Sequence, residues 1–237
     1  MKKAIIALVL AAGLTSLAGN AKADLLSPVG TVWQSSQYNS ALSATNLFYS
    51  AENGLTTNDF GTMNHLSVQY AASDTGGSPP KGDANPIVAF DLGSNATVSS
   101  FGYAQRTAVE DGVASISLWS LTQSQYATYT SLYLQTAPQS GGSSGTSAPA
   151  PTSFNYYSGA IAVSDADRNF NQYSISSSTT GEYWVVQFTA IGSPIANAGG
   201  FAFNLVGTTA VPEPSTYALF GLGVIGMLMA LRRKKTA

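Results

Sequence analysis

Asp165, Asp167 and Asn169 place an oxygen side chain at every second position of residues 165–171, the spacing with which a loop wraps a calcium ion. The EF-hand form is excluded, because Phe170 stands where the sharp turn needs glycine and Ser176 where the bidentate glutamate belongs. A solvated turn is the favoured reading of this run and a looser calcium site the alternative; no other cofactor is expected. Trp33, Trp119, Trp184, Tyr156 and Tyr157 carry rings able to stack on sugars. Aromatic residues at strand spacing are mostly core, and Trp119 and Trp184 sit inside strand patterns. The single histidine, His65, has no nucleophile motif beside it, and no G-x-S-x-G occurs in the chain. The absence of cysteine removes thiolate zinc sites, cysteine nucleophiles and disulfides together. A non-enzymatic protein is therefore expected, with a secreted hydrolase built on two facing carboxylates the last alternative.

The elements that would hold these residues are of strand type. Residues 87–92, 97–103, 113–121, 126–134, 183–189 and 201–206 are short runs, β-branched or aromatic, bounded by Gly, Asn, Asp or Pro. Helical stripes of useful length are not expected. Trp184, Val186 and Phe188 fall on one face of their strand, as do Phe201, Phe203 and Leu205, which supplies inward rows for two packed sheets. The fold class expected is all-β, an antiparallel β-sandwich of jelly-roll type over residues 24–210. Asp111-Gly112 and Gly181-Glu182 mark turns, and residues 74–80 a loop. Residues 138–153 are Gly, Ser, Ala and Pro with no large apolar side chain, so a disordered loop is expected there. Residues 154–211, beyond that loop, are too few for an independent all-β unit without disulfides or metal, so a single sandwich is preferred.

Only 9% of the 237 residues are charged, against about 25% in an ordinary soluble domain. Between Asp24 and Val211 the only bases are Lys81, Arg106 and Arg168, while all of the twelve carboxylates except Glu213 lie there. Such an acidic surface lacks the Lys and Arg that release counterions from phosphates, so nucleic-acid binding is not expected.

The remaining bases cluster at the two ends. Lys2 and Lys3 precede the uncharged run of residues 4–14, and Ala21-Lys22-Ala23 offers the small-x-small pattern that signal peptidase accepts. Residues 1–23 read as a secretory signal peptide, handled by the export machinery and cut before Asp24. At the other end, residues 216–231 are uncharged and are followed at once by Arg232, Arg233, Lys234 and Lys235, a stop-transfer pattern. The uncharged run after Thr216 reaches only about 22 Å as a helix, short for a hydrocarbon core of about 30 Å. A marginal inner-membrane helix is expected, with the basic tail as its cytoplasmic anchor.

Val211, Pro212, Glu213, Pro214 and Ser215, then this apolar stretch, then the basic tail, closely resemble the PEP-CTERM sorting signal of Gram-negative bacteria that make exopolysaccharide. The resemblance spans residues 211–237 and implies an exosortase as partner, recognising Pro212, Glu213 and Pro214, removing the helix and passing the protein outward. The motif's physics agrees: two prolines hold the segment extended and stop the helix from growing backward, which leaves backbone for an enzyme to grip. The protein is then expected at the cell surface or in the extracellular matrix, associated with exopolysaccharide or biofilm.

A second resemblance lies between the ends. Ile87-Val88-Ala89-Phe90-Asp91-Leu92-Gly93-Ser94, then Thr97-Val98-Ser99-Ser100-Phe101, then Gln105-Arg106, residues 113–118, and later Gly181-Glu182-Tyr183-Trp184-Val185-Val186-Gln187-Phe188 look like the discoidin-type galactose-binding-like jelly roll. That resemblance implies glycan binding through loops at one sandwich end. It carries over only to Arg106 and Asp91, either of which also fits a structural role. A carbohydrate-binding module, with Arg106, Trp33, Tyr156 and Tyr157 as contacts, is accordingly the alternative to a structural or adhesive matrix protein.

Overall fold

Ile87, Val88, Ala89 and Phe90 are all buried, without the alternation of a strand that has one face in water. The run opens the strand that organises the fold. The structure, a computed structural model, describes residues 23–37, 43–48, 70–71, 73–74, 81–105, 112–136, 144–163, 170–191 and 198–209. Its strands in chain order are β1 (Asp24–Leu26), β2 (Trp33–Gln34), β3 (Ser36–Gln37), β4 (Tyr70–Ala71), β5 (Ser73–Asp74), β6 (Lys81–Gly82), β7 (Ile87–Gln105) and β8 (Val113–Leu121). Helix α1 (Gln123–Tyr133) follows, then β9 (Gln135–Thr136), β10 (Ser144–Gly145), β11 (Tyr156–Ala162), β12 (Asn171–Ala190) and β13 (Gly199–Thr209). A short 3-10 helix spans Ala44–Phe48. Among the described residues the main sheet runs β1, β13, β7, β12, β8, β11, every pair antiparallel. Residues Ala23–Thr209 form one compact unit.

The two runs expected as separate strands, 87–92 and 97–103, are one 19-residue strand. Gly93, at φ +73, bends the chain between them, and Asp91 Oδ1 accepts from Gly93 N at 2.6 Å. Opposite the bend, Gly181 pairs with Ala96 and Tyr183 with Asp91, so Glu182 alone faces residues 92–95. The extra residues are on β7, so the Gly181-Glu182 pair lies opposite a bulge, inside a 20-residue strand, and is not a turn. A second register shift, between Ser174 and Thr179, bends β12 again. On one side of these bends β7 and β12 pair with β2 and β8, the first layer; on the other side β7 pairs with β13, the second.

Rings from the two layers meet between them. Phe203 of β13 lies 5.8 Å from Phe188 and 6.4 Å from Phe90, while Trp184 and Val186 share the inner core with Phe188 as their spacing requires. Phe203 and Leu205 point inward as expected, but Phe201 does not. The register shift between Gly200 and Ala202 turns it outward, where it packs with Leu25 against Ala104, Phe170 and Ala202.

Residues 126–134, expected as a strand, belong instead to α1 and its C-cap. Tyr and Thr bias this run toward strand, yet Thr122 and Gln125 form a capping box. Gln125 N donates to Thr122 Oγ1 at 3.3 Å, and Thr122 N donates to Gln125 Oε1 at 2.8 Å. Tyr126, Tyr129 and Thr130 then present one buried stripe at i, i+3 and i+4. They cover the outer face of the first layer, packing with Ile87, Ala89, Trp119, Leu121 and Val185, which explains why β7 begins without alternation.

The expected disordered loop also needs correction over its described part. Ser144 and Gly145 pair with Gln37 and Ser36, Ala148 is buried beside Tyr129, and Pro151 is buried as well. Small side chains let the backbone lie flat on α1, so contact with a helix does what the segment's own side chains cannot. A buried polar knot pins it further. Asp83, 1% exposed, accepts from Ser36 Oγ at 2.7 Å, Ser35 Oγ at 3.3 Å, Ser147 Oγ at 3.0 Å and Asn85 N at 3.0 Å.

Candidate functional site

Helix α1 and the segment after Pro149 enclose an open groove of about 350 Å³. Six helix residues face it, Ser124, Gln125, Thr128, Tyr129, Leu132 and Tyr133, which recur at i and i+4 and so lie along one side of the helix. Pro151, Thr152 and Ser153 form the opposite wall, with Leu121 at the strand end. Two bonds hold the walls together: Gln125 Nε2 donates to Ser153 Oγ at 2.7 Å, and the Tyr129 hydroxyl donates to Pro149 O at 2.5 Å. Gln125 is positioned for this by the capping box that starts the helix.

The lining combines rings, aliphatic surface, hydroxyls and an amide, and none of its described residues is Asp, Glu, Lys, Arg or His. Burial, and next the neighbouring Tyr133, raises the Tyr129 phenol above its ordinary value of 10.0. Beneath it, Tyr126 is raised by burial, then by the Asp91 carboxylate, then by Tyr183. Tyr183 itself is raised by partial burial first, then by Glu182 and Asp91. Tyr126 and Tyr129 are protonated in both folded and unfolded chains below about pH 10, so their contribution is intact there and is lost as pH rises toward their folded values. Denaturation midpoints should therefore hold level across the neutral range and start to fall only above about pH 10. A fall attributable to these tyrosines by about pH 8, followed by tyrosine absorbance, would contradict the burial.

The structure separates the sugar contacts expected from sequence. Tyr157 is 44% exposed and lies flat on Trp119, ring centres 4.9 Å apart at 15°. Its neighbour Tyr156 points to the other face, half-buried, 6.5 Å from Trp184, with no hydrogen-bond partner for its hydroxyl. Trp33, opposite Ala89 on β7, is half-buried against the cluster under α1. Trp119 and Trp184 are core, as expected. Asp91 serves the bend in β7 through its bond to Gly93. Arg106, His65 and the calcium-loop candidates Asp165, Asp167 and Asn169 lie outside the described residues.

Tyr129, Leu132, Tyr133 and Phe154 were missed by sequence reasoning. The Thr122-x-x-Gln125 box was the available signal, since a helix there brings Tyr129 and Tyr133 to one side.

At the ends, Ala23 is exposed just ahead of β1, whose Asp24 stands opposite Gly207. Ala21, Val211, Pro212, Glu213, Pro214, Ser215 and the basic residues Arg232, Arg233, Lys234 and Lys235 fall outside the described residues. No helix among the described residues is long and apolar enough to cross a membrane, and the expected span at 216–231 is not among them. Residues 210–234 match the family model of the PEP-CTERM protein-sorting motif. The chain carries a PEP-CTERM sorting motif. That motif marks an exported protein with an exosortase as its processing partner.

No curated protein matches the chain. Solved structures that it resembles include chitosan-binding module 1 of a chitosanase/glucanase from Paenibacillus sp. IK-5, at 16% identity, covering 76% of this chain and 97% of that one, TM-score 0.43. A fucolectin from the serum of striped bass, Morone saxatilis, gives 13% identity, 75% and 46% coverage, and a TM-score of 0.45. CBM32-3 of a family 31 glycoside hydrolase from Clostridium perfringens gives 9% identity, 83% and 98% coverage, and 0.44.

Proposed function

We propose that this PEP-CTERM protein is a non-enzymatic, extracytoplasmic polysaccharide-binding protein, and that the groove along α1 is where it holds neutral sugar. Signal peptidase releases it before Asp24, the helix of residues 216–231 holds it for a time in the inner membrane, and exosortase processing passes it to the surface or matrix. The observation that carries the sugar reading is the groove's composition. Tyr129 and Tyr133 offer ring surface to the C–H faces of a pyranose, and Ser124, Thr128, Thr152 and Gln125 offer donors and acceptors to its hydroxyls. With no carboxylate among the described lining residues, this is chemistry for holding a sugar and not for protonating a glycosidic oxygen. An uncharged lining on an acidic chain also disfavours anionic polymers such as polyuronates.

The test is affinity electrophoresis of the full chain in mild detergent through gels containing dextran, pullulan, galactomannan or hydroxyethylcellulose, with alginate and hyaluronan as anionic controls. Retardation by at least one neutral polymer and not by the anionic pair is expected, and Tyr133→Ala should relieve most of it. Equal mobility in every gel would remove the proposal.

A further inference from the structure

Five large hydrophobic residues are exposed among the described residues, and four of them lie at or beside this groove: Leu132 at 65%, Tyr133 at 44%, Phe154 at 42% and Tyr157 at 44%. The first two line the groove itself. The second two continue past its wall, since Ser153 lines the groove and Phe154 follows it in the chain. Phe154 lies 5.9 Å from Tyr157, tilted by 54°, and Tyr157 is backed by Trp119.

The strand beneath sets the separation. Leu121, at the groove's end, and Trp119, under Tyr157, are two residues apart on β8 and belong to the same cluster, which places the platform's backing about 7 Å along the strand from that end of the groove. The groove itself follows the helix from Ser124 to Tyr133, about 13 Å at 1.5 Å per residue. A single sugar ring cannot cover both surfaces.

Resting on the sugar-binding reading above, we propose that the ligand is a segment of a neutral polysaccharide several residues long, held over two adjoining subsites: the α1 groove, with Tyr133, and an aromatic platform, with Phe154 and Tyr157. The platform contributes only when the chain is long enough to reach it. Trp119 acts as a positioning residue, fixing the Tyr157 ring by stacking beneath it.

The experiment is calorimetry on the full chain in detergent, using length-fractionated oligosaccharides of two to six residues cut from the polymers of the gel panel. The hexasaccharide of at least one series should bind about tenfold or more tightly than its disaccharide, as expected when a second stacking surface is engaged. Tyr157→Ala should bring the hexasaccharide down to the disaccharide's affinity while leaving the disaccharide within about twofold. Phe154→Ala provides a second, independent loss on the same platform. Equal affinities for two and six residues, or a Tyr157→Ala chain indistinguishable from the parent, would overturn the two-subsite proposal and leave the groove reading standing. Failure of every oligosaccharide and every polymer to bind would bring down both.

Discussion

Phe203→Ala is expected to cost about 3–5 kcal/mol of unfolding free energy, read from urea denaturation. The residue is fully buried where the two layers meet. Its ring lies 5.6 Å from Phe101, 5.8 Å from Phe188, 6.2 Å from Phe48 and 6.4 Å from Phe90, in one stacked and three edge contacts. These partners come from β7 on both sides of its bend, from β12 and from the 3-10 helix, so no single element can shift to fill the space. The cavity should persist, which places the cost toward the upper part of the usual range. A loss under about 1.5 kcal/mol would mean that the layers close up, and that the ring cluster is not the joint between them.

Asp83→Ala should cost about 3 kcal/mol by the same measurement, although it removes little apolar surface. The three serine hydroxyls that now donate to the carboxylate would lose their common acceptor inside the protein, as would Asn85 N. Ser35 also accepts from Ile87 N at 3.0 Å, so the disturbance reaches the first residue of β7. Asp83→Asn keeps one acceptor oxygen and should retain part of the stability. Because Ser147 sits a few residues before the groove's wall, Asp83→Ala should also weaken sugar binding at temperatures where the chain is still folded. An alanine variant within about 1 kcal/mol of the parent would show that the knot is not holding these segments.

Much of the sandwich can be read from side-chain pattern. Strand β8 has the bounds expected from residues 113–121, and Trp184, Val186 and Phe188 line the core, because strand alternation is a local property. The helix was lost to the same reasoning. Tyr126, Thr128, Tyr129 and Thr130 favour a strand as isolated residues, and the capping box and the apolar face of β7 and β12 outweigh that preference. The candidate site was lost with it, since its lining is legible only once Tyr129 and Tyr133 are placed on one side of a helix.

The PEP-CTERM motif at residues 210–234 follows from order and composition alone. The groove, the bends that carry β7 and β12 between layers, and the Asp83 knot follow from packing. Asp83 takes hydrogen bonds from Ser35, Ser36 and Ser147, 48, 47 and 64 residues away along the chain. No local pattern encodes such a meeting; it comes about when the buried strands bring those backbones together and leave one buried carboxylate among hydroxyls.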